Sequence, residues 1–223
     1  MTRIKLKDRL LPDYTKGEEI FNMVSHIAGG GIAIIVLVLC TVKACLKGDA
    51  IAIISSVVYG ASMVILYATS AIYHGLKNET AKKVMQVLDH CTIYFLIAGT
   101  YTPILLVSVR PVSPFWCYLN FGVVWGLGIL AATLTAIDLK KYSVFSYSCY
   151  IGMGWSIIMS YSAVVKALPT SALLWLLGGG ISYTVGAVFY AFGKKKRYIH
   201  SVFHLFVVVG SILQFVTIFF YVL

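Results

Sequence analysis

Seven apolar stretches, each about long enough to cross a ~30 Å hydrocarbon core at 1.5 Å per residue, leave this chain few ways to fold. They run roughly from Phe21 to Val42, Ala50 to His74, Val84 to Val107, Phe115 to Ile137, Val144 to Val165, Ser171 to Ala191 and Ile199 to Val222. Lipid offers the backbone no hydrogen-bond partner, so each stretch must be helical. The connections are short, which makes consecutive helices antiparallel neighbours and leaves no room for a soluble domain between them. The expectation is an all-α integral membrane protein with seven transmembrane helices. Residues 1–20 form an N-terminal segment and residues 21–223 a single transmembrane domain. With 12% charged residues and 60% hydrophobic ones, the composition is far from the roughly 25% charge of a soluble domain.

Charge asymmetry predicts the orientation. Arg3, Lys5, Lys7, Arg9 and Lys16, then Lys77, Lys82 and Lys83, then Lys140 and Lys141, then Lys194, Lys195, Lys196 and Arg197 all fall on one side. Only Lys43, Lys47, Arg110 and Lys166 fall on the other. The N-terminus is therefore expected in the cytoplasm and the C-terminus outside it, in a multi-pass cell-membrane protein, with a bacterial plasma membrane as the expected location. The net charge of +10 suits cytoplasmic loops facing anionic lipid, so nucleic acid is not an expected partner.

The first twenty residues carry mixed charge and no short apolar region ending in a small-residue cleavage site, so no removable signal peptide is expected. Cys40, Cys45, Cys91, Cys117 and Cys149 are scattered without a Cys-x-x-Cys pair and indicate neither a disulfide framework nor a thiolate metal site. Gly29-Gly30-Gly31, Gly122-x-x-x-Gly126, Gly152-x-Gly154 and Gly178-Gly179-Gly180 offer small faces for close helix approach, within the chain or between copies in a homo-oligomer. Pro103 should kink or end the third helix.

The chemistry gathers where ionisable side chains enter apolar runs. His200 and His204 stand one helical turn apart, so both rings can reach one ion. His74, His200, His204 and Asp89 all lie about 5 to 10 Å inside the basic boundary, in one layer drawn from the second, third and seventh helices. Asp89 is the only acid well inside an apolar run and needs a partner there. Three imidazoles with one open position are the arrangement of a catalytic metal rather than a structural one. His74, His200 and His204 are thus candidate metal ligands, and Asp89 a candidate base for the water beside them. Ser70, four residues before His74 on the same face, is a candidate hydroxyl donor. His26, at similar depth on the first helix, is a candidate supporting residue behind the ligands.

Each of these residues also has a plainer reading. Histidines at helix ends can bond neighbouring helices, and a serine hydroxyl can bond its own backbone. His90, rotated about 100° from Asp89, is expected to bond a neighbour rather than join the centre. Tyr67, Met63, Ser211 and Gln214 fit either a partly polar cavity or interhelical hydrogen bonds.

With Glu18, Asn22 and Ser25-His26 on the first helix, Ser70-Ala-Ile-Tyr-His74 on the second, Leu88-Asp89-His90 leading to Ala98-Gly-Thr-Tyr-Thr-Pro103 on the third and His200-Ser-Val-Phe-His204 on the last, the chain resembles the bacterial hemolysin III family. That family belongs with the progestin and adipoQ receptors and resembles alkaline ceramidases. The resemblance implies zinc as the cofactor, held at His74, His200 and His204, with Asp89 and Ser70 at the family's acidic and serine positions.

Three functions follow as expectations. The leading one is a zinc-dependent hydrolase of an amide or ester in a membrane lipid, affecting lipid homeostasis. The second is a non-catalytic membrane-state sensor that needs a separate cytoplasmic partner. The third is a pore-forming cytolysin, which the absence of a polar stripe along several helices disfavours. Membrane lipids are the expected partners in every case.

Overall fold

The computed structural model describes residues 6–192 and 196–223; Arg3, Lys5, Lys194 and Lys195 of the charge count lie outside the described residues. Among the described residues, a short turn at Leu6–Asp8 precedes seven helices long and apolar enough to span a bilayer. These are α1 (Lys16–Lys47), α2 (Ala50–Gly75), α3 (Glu79–Val112), α4 (Pro114–Ile137), α5 (Ser143–Ala167), α6 (Thr170–Phe192) and α7 (Ile199–Val222).

The bundle is apolar outside and encloses polar side chains within a largely apolar core, as a bilayer allows. Ile27, Ile34, Ile35 and Val38 of α1 are more than half exposed, whereas Asn22, Ser55, Ser56, Asn120 and Ser160 are wholly enclosed. Water would reverse that preference. Consecutive helices pack from α1 to α5, α6 packs on α7, and α7 returns to α1. By contrast, α5 and α6 meet sparsely. The most enclosed helix is α3. At the α1–α2 crossing, a Cβ on Gly60 would stand 2.5 Å from the Leu37 backbone, so only glycine permits that approach. The small faces do not all serve this purpose: Cβ atoms built on Gly122, Gly126, Gly152 and Gly154 meet nothing within 4 Å.

Helices α1 and α5 differ from the sequence expectation, while in α3 Pro103 ends the regular helix as expected. The first helix begins at Lys16 rather than Phe21. Thr15 and Glu18 form a reciprocal capping box that starts it early. In α3 the α-helical hydrogen bonding stops at Pro103 and the chain continues as a π-helical stretch, Ile104–Val109.

The fifth helix is broken rather than continuous. Regular α-helix ends at Gly154, a 3₁₀ stretch covers Ser156–Ser160, and helix resumes at Tyr161. The Tyr101 hydroxyl of α3 enters the gap, donating to the Gly154 carbonyl at 2.7 Å and accepting from the Ile157 N–H at 3.0 Å. Asn120 Nδ2 donates to the Ser156 carbonyl at 3.1 Å. Backbone groups freed within the apolar layer are thereby re-satisfied, which is the condition for tolerating such a break.

Candidate metal centre

The end of the bundle that carries the basic connections collects the start of α1, the end of α2, the start of α3 and the start of α7. Consequently His74, His200 and His204, from the C-terminal turn of α2 and the first turns of α7, converge although 126 or more residues separate the first from the others. Each can offer one ring nitrogen within 4.8 Å of the other two. His74 and His204 are buried and His200 is half-buried.

The nitrogen chemistry favours a cation. His200 Nε2 and His204 Nε2 lie 3.0 Å apart. One Nε2–H bonding the other nitrogen would explain that distance. So would a shared tetrahedral ion, whose bonds of about 2.0–2.1 Å hold adjacent nitrogen ligands roughly 3.3 Å apart. His74 distinguishes the two. Its Nδ1 lies 2.7 Å from Glu19 Oε2; a carboxylate accepts, so Nδ1 carries a proton, and Nε2 of the neutral ring is the nitrogen left to bind an ion. That Nε2 is buried and has no hydrogen-bond partner. An imidazole pair bonded to each other leaves it unexplained, whereas a cation shared by the three rings uses it. The donor set fits zinc, and equally other imidazole-binding divalent metals.

Asp89 and Ser70 sit beside this cluster, and both are buried. They line, with His26, His90, His200 and His204, an apolar cavity of about 130 Å³ walled mainly by α3, α5, α6 and α7 and closed by His26 of α1 and Leu66 and Ser70 of α2. Ser70 Oγ is buried and is not bonded to its own backbone; its polar neighbour is the Asp89 carboxyl. A second cavity of about 330 Å³ shares Thr100, Tyr101, Gly154, Trp155, Gly180 and Gln214 with the first and extends it away from the histidines, along the sparse α5–α6 seam. On the opposite side lies a polar vestibule of about 750 Å³ that shares His90, Tyr147, Tyr190 and His200. His200 therefore stands where the polar vestibule meets the apolar slot, and His204 lines the slot.

His26 is not one of the three converging imidazoles. It stacks on His204, ring centroids 3.7 Å apart, and both of its nitrogens are buried without partners. His90 bonds neighbours, its Nδ1 donating to the Gln86 carbonyl at 2.8 Å and its Nε2 lying 3.1 Å from the Tyr190 hydroxyl. Of the residues read either way, Gln214 lines the cavity, while Tyr67 is bonded to Ser211 at 2.8 Å between helices.

Two residues reach the centre that sequence reasoning missed. Glu19 holds His74, and its signal was the capping box that draws it into the helix. Tyr14, just before α1, stacks on His200 with ring centroids 5.0 Å and planes 16° apart. Burial, then the Asp89 and Glu19 carboxylates, raise the Tyr14 phenol above its ordinary range, so it remains neutral there.

The comparisons agree with this architecture. The family described as haemolysin-III related matches residues 14–215. Hemolysin-3 of Bacillus cereus is 37% identical over 207 residues, covering 92% of either chain. The Hemolysin-3 homolog of Bacillus subtilis strain 168 is 33% identical over 208 residues, 93% of this chain and 96% of the relative. The human monocyte to macrophage differentiation factor, a progestin and adipoQ receptor relative, is 25% identical over 172 residues, 74% of this chain and 69% of its own. The family match spans Tyr14, Glu19, His26, Ser70, His74, Asp89, His200 and His204 together, and the chain belongs to the haemolysin-III-related family.

Proposed function

We propose that this multi-pass membrane protein is a zinc-dependent hydrolase that cleaves an amide or ester bond of a membrane lipid and so affects lipid homeostasis. The observation that carries the reading is the meeting of three imidazoles with a buried carboxylate and a buried hydroxyl, of which His200, His204, Asp89 and Ser70 line the apolar slot. His74, His200 and His204 would hold the ion. When bound, zinc supplies a Lewis acid for a carbonyl and brings the pKa of a water towards neutrality.

The chain's own residues divide the remaining work. The Asp89 carboxylate accepts a proton from the attacking water and returns it to the leaving amine or alcohol as the acyl C–N or C–O bond breaks. The Ser70 hydroxyl donates to the carbonyl oxygen as negative charge develops on it. The slot between α5 and α6 takes the acyl chain sideways from the bilayer, and the vestibule takes the headgroup. With the basic end in the cytoplasm, the N-terminus lies inside, the C-terminus outside and the vestibule opens inward. A bacterial plasma membrane is the proposed location, in keeping with the Bacillus relatives.

The test is turnover of mixed bacterial phospholipids and ceramides by zinc-loaded protein in vesicles, with Asp89→Asn alongside. The expected result is release of a fatty acid by wild type and loss of at least 100-fold in Asp89→Asn at unchanged zinc content. No turnover of any lipid would overturn the hydrolase and favour a zinc-clamped sensor acting through a cytoplasmic partner. The printed name of the Bacillus cereus relative carries a second reading, cytolysis. Dye release from vesicles without lipid hydrolysis would support that reading instead.

A further inference from the structure

We propose that Glu19 is a positioning residue of the metal centre, set in turn by Lys82, so that a clasp across α1, α2 and α3 determines which nitrogen His74 presents. The proposal rests on the reading of His74 as a ligand. Its two contacts are short and use one carboxylate oxygen each: Oε2 accepts from His74 Nδ1 at 2.7 Å, and Oε1 accepts from Lys82 Nζ at 2.8 Å. Lys82 Nζ also reaches the His74 carbonyl at 3.5 Å and the Leu76 carbonyl at 3.4 Å, where α2 ends. It lies 5.2 Å from the centre of the Tyr73 ring. One ammonium thus neutralises Glu19 and caps the helix that carries the ligand.

The chemical consequence falls on the far side of the ring. A carboxylate fixed against Nδ1–H excludes the other tautomer, stops the imidazole from turning and makes Nε2 more basic. The nitrogen left free for an ion is Nε2, which is buried and has no hydrogen-bond partner.

Adjacent acids do separate work here. Glu18 turns the other way: it accepts from Thr15 N at 2.8 Å and Tyr198 N at 2.7 Å, and pairs with Arg197 at 3.3 Å. It holds the start of α1 and the connection before α7 without touching His74. A purely structural clasp would also use the Glu19–Lys82 pair, so fold and metal binding must be read separately.

The decisive experiment is zinc affinity by competition with a chromogenic chelator on detergent-purified full-length protein, with helicity and thermal unfolding followed in parallel. Glu19→Ala should bind zinc about 10–100-fold more weakly than wild type. Glu19→Gln, which keeps an acceptor but loses the charge, should fall between them. Lys82→Met should weaken binding in the same direction but less, and Glu18→Gln should change affinity less than threefold. If Glu19→Ala does not fold, Glu19→Gln and Glu19→Asp carry the comparison. Wild-type zinc affinity in every folded Glu19 variant would overturn the positioning role and leave the metal site standing. Failure of wild type to take up zinc would overturn both.

Discussion

His200 Nε2 and His204 Nε2 face each other at 3.0 Å, one helical turn apart on α7, while the lone pair on His74 Nε2 arrives from α2 without a protein partner. Ring nitrogens brought this close in an apolar layer create a demand that a divalent cation meets. The demand spans two helices distant in sequence, so binding there should also join α2 to α7.

Metal removal should therefore loosen the bundle. Because an ion that binds only the folded state stabilises it by mass action, zinc at 100 times its dissociation constant adds about 2.7 kcal/mol. Thermal unfolding of chelator-stripped protein should occur several degrees below the zinc-loaded protein. His204→Ala should show no difference between the two conditions.

Ser70→Ala should separate binding from chemistry. The proposed ligands are the three imidazoles and not the hydroxyl, so zinc content should stay at the wild-type level. Lipid turnover should fall by about 10²-fold, in line with loss of one donor to a developing oxyanion. Steady-state hydrolysis beside metal analysis checks both halves.

The gap in α5 is bridged by a hydroxyl from another helix. Tyr101→Phe leaves the Gly154 carbonyl and the Ile157 N–H without their bridge and should destabilise the protein by roughly 1–3 kcal/mol. Denaturant-induced unfolding in detergent micelles measures this. A phenylalanine variant as stable as wild type would mean that the gap satisfies its backbone by another route.

Glycines of similar appearance should behave differently. Gly60→Ala places a methyl 2.5 Å from Leu37 Cα and should cost about 1–3 kcal/mol by forcing α1 and α2 apart. Gly126→Ala meets nothing within 4 Å and should be neutral or slightly stabilising. Unfolding midpoints of the two variants decide between them.

The spans and the histidine layer were legible because hydrophobic length and helical spacing are local signals. His200 and His204 share a face by spacing alone, and depth from the basic boundary placed His74 and Asp89 beside them. Glu19 escaped that reasoning because it lies before the first apolar run, among mixed charges. It reaches the level of His74 only because Thr15 and Glu18 start α1 at Lys16, and that capping pattern is written in the sequence. The α5 break was hidden for a different reason. Gly152-x-Gly154 looks like a packing face, and nothing local reveals that Tyr101 and Asn120 arrive to satisfy the opened backbone. The Gly122-x-x-x-Gly126 face was equally ambiguous, since spacing cannot say whether a helix lies against it.

The central claim is that the three imidazoles hold one metal ion, and metal content of purified, folded protein tests it most directly. Wild type should carry about one zinc per chain, as expected of an open three-histidine site. His74→Ala and His204→Ala should lose the ion, and Asp89→Ala should largely keep it. A folded wild-type protein that neither retains zinc nor takes it up on addition would contradict the account and leave these residues as an interhelical hydrogen-bond network.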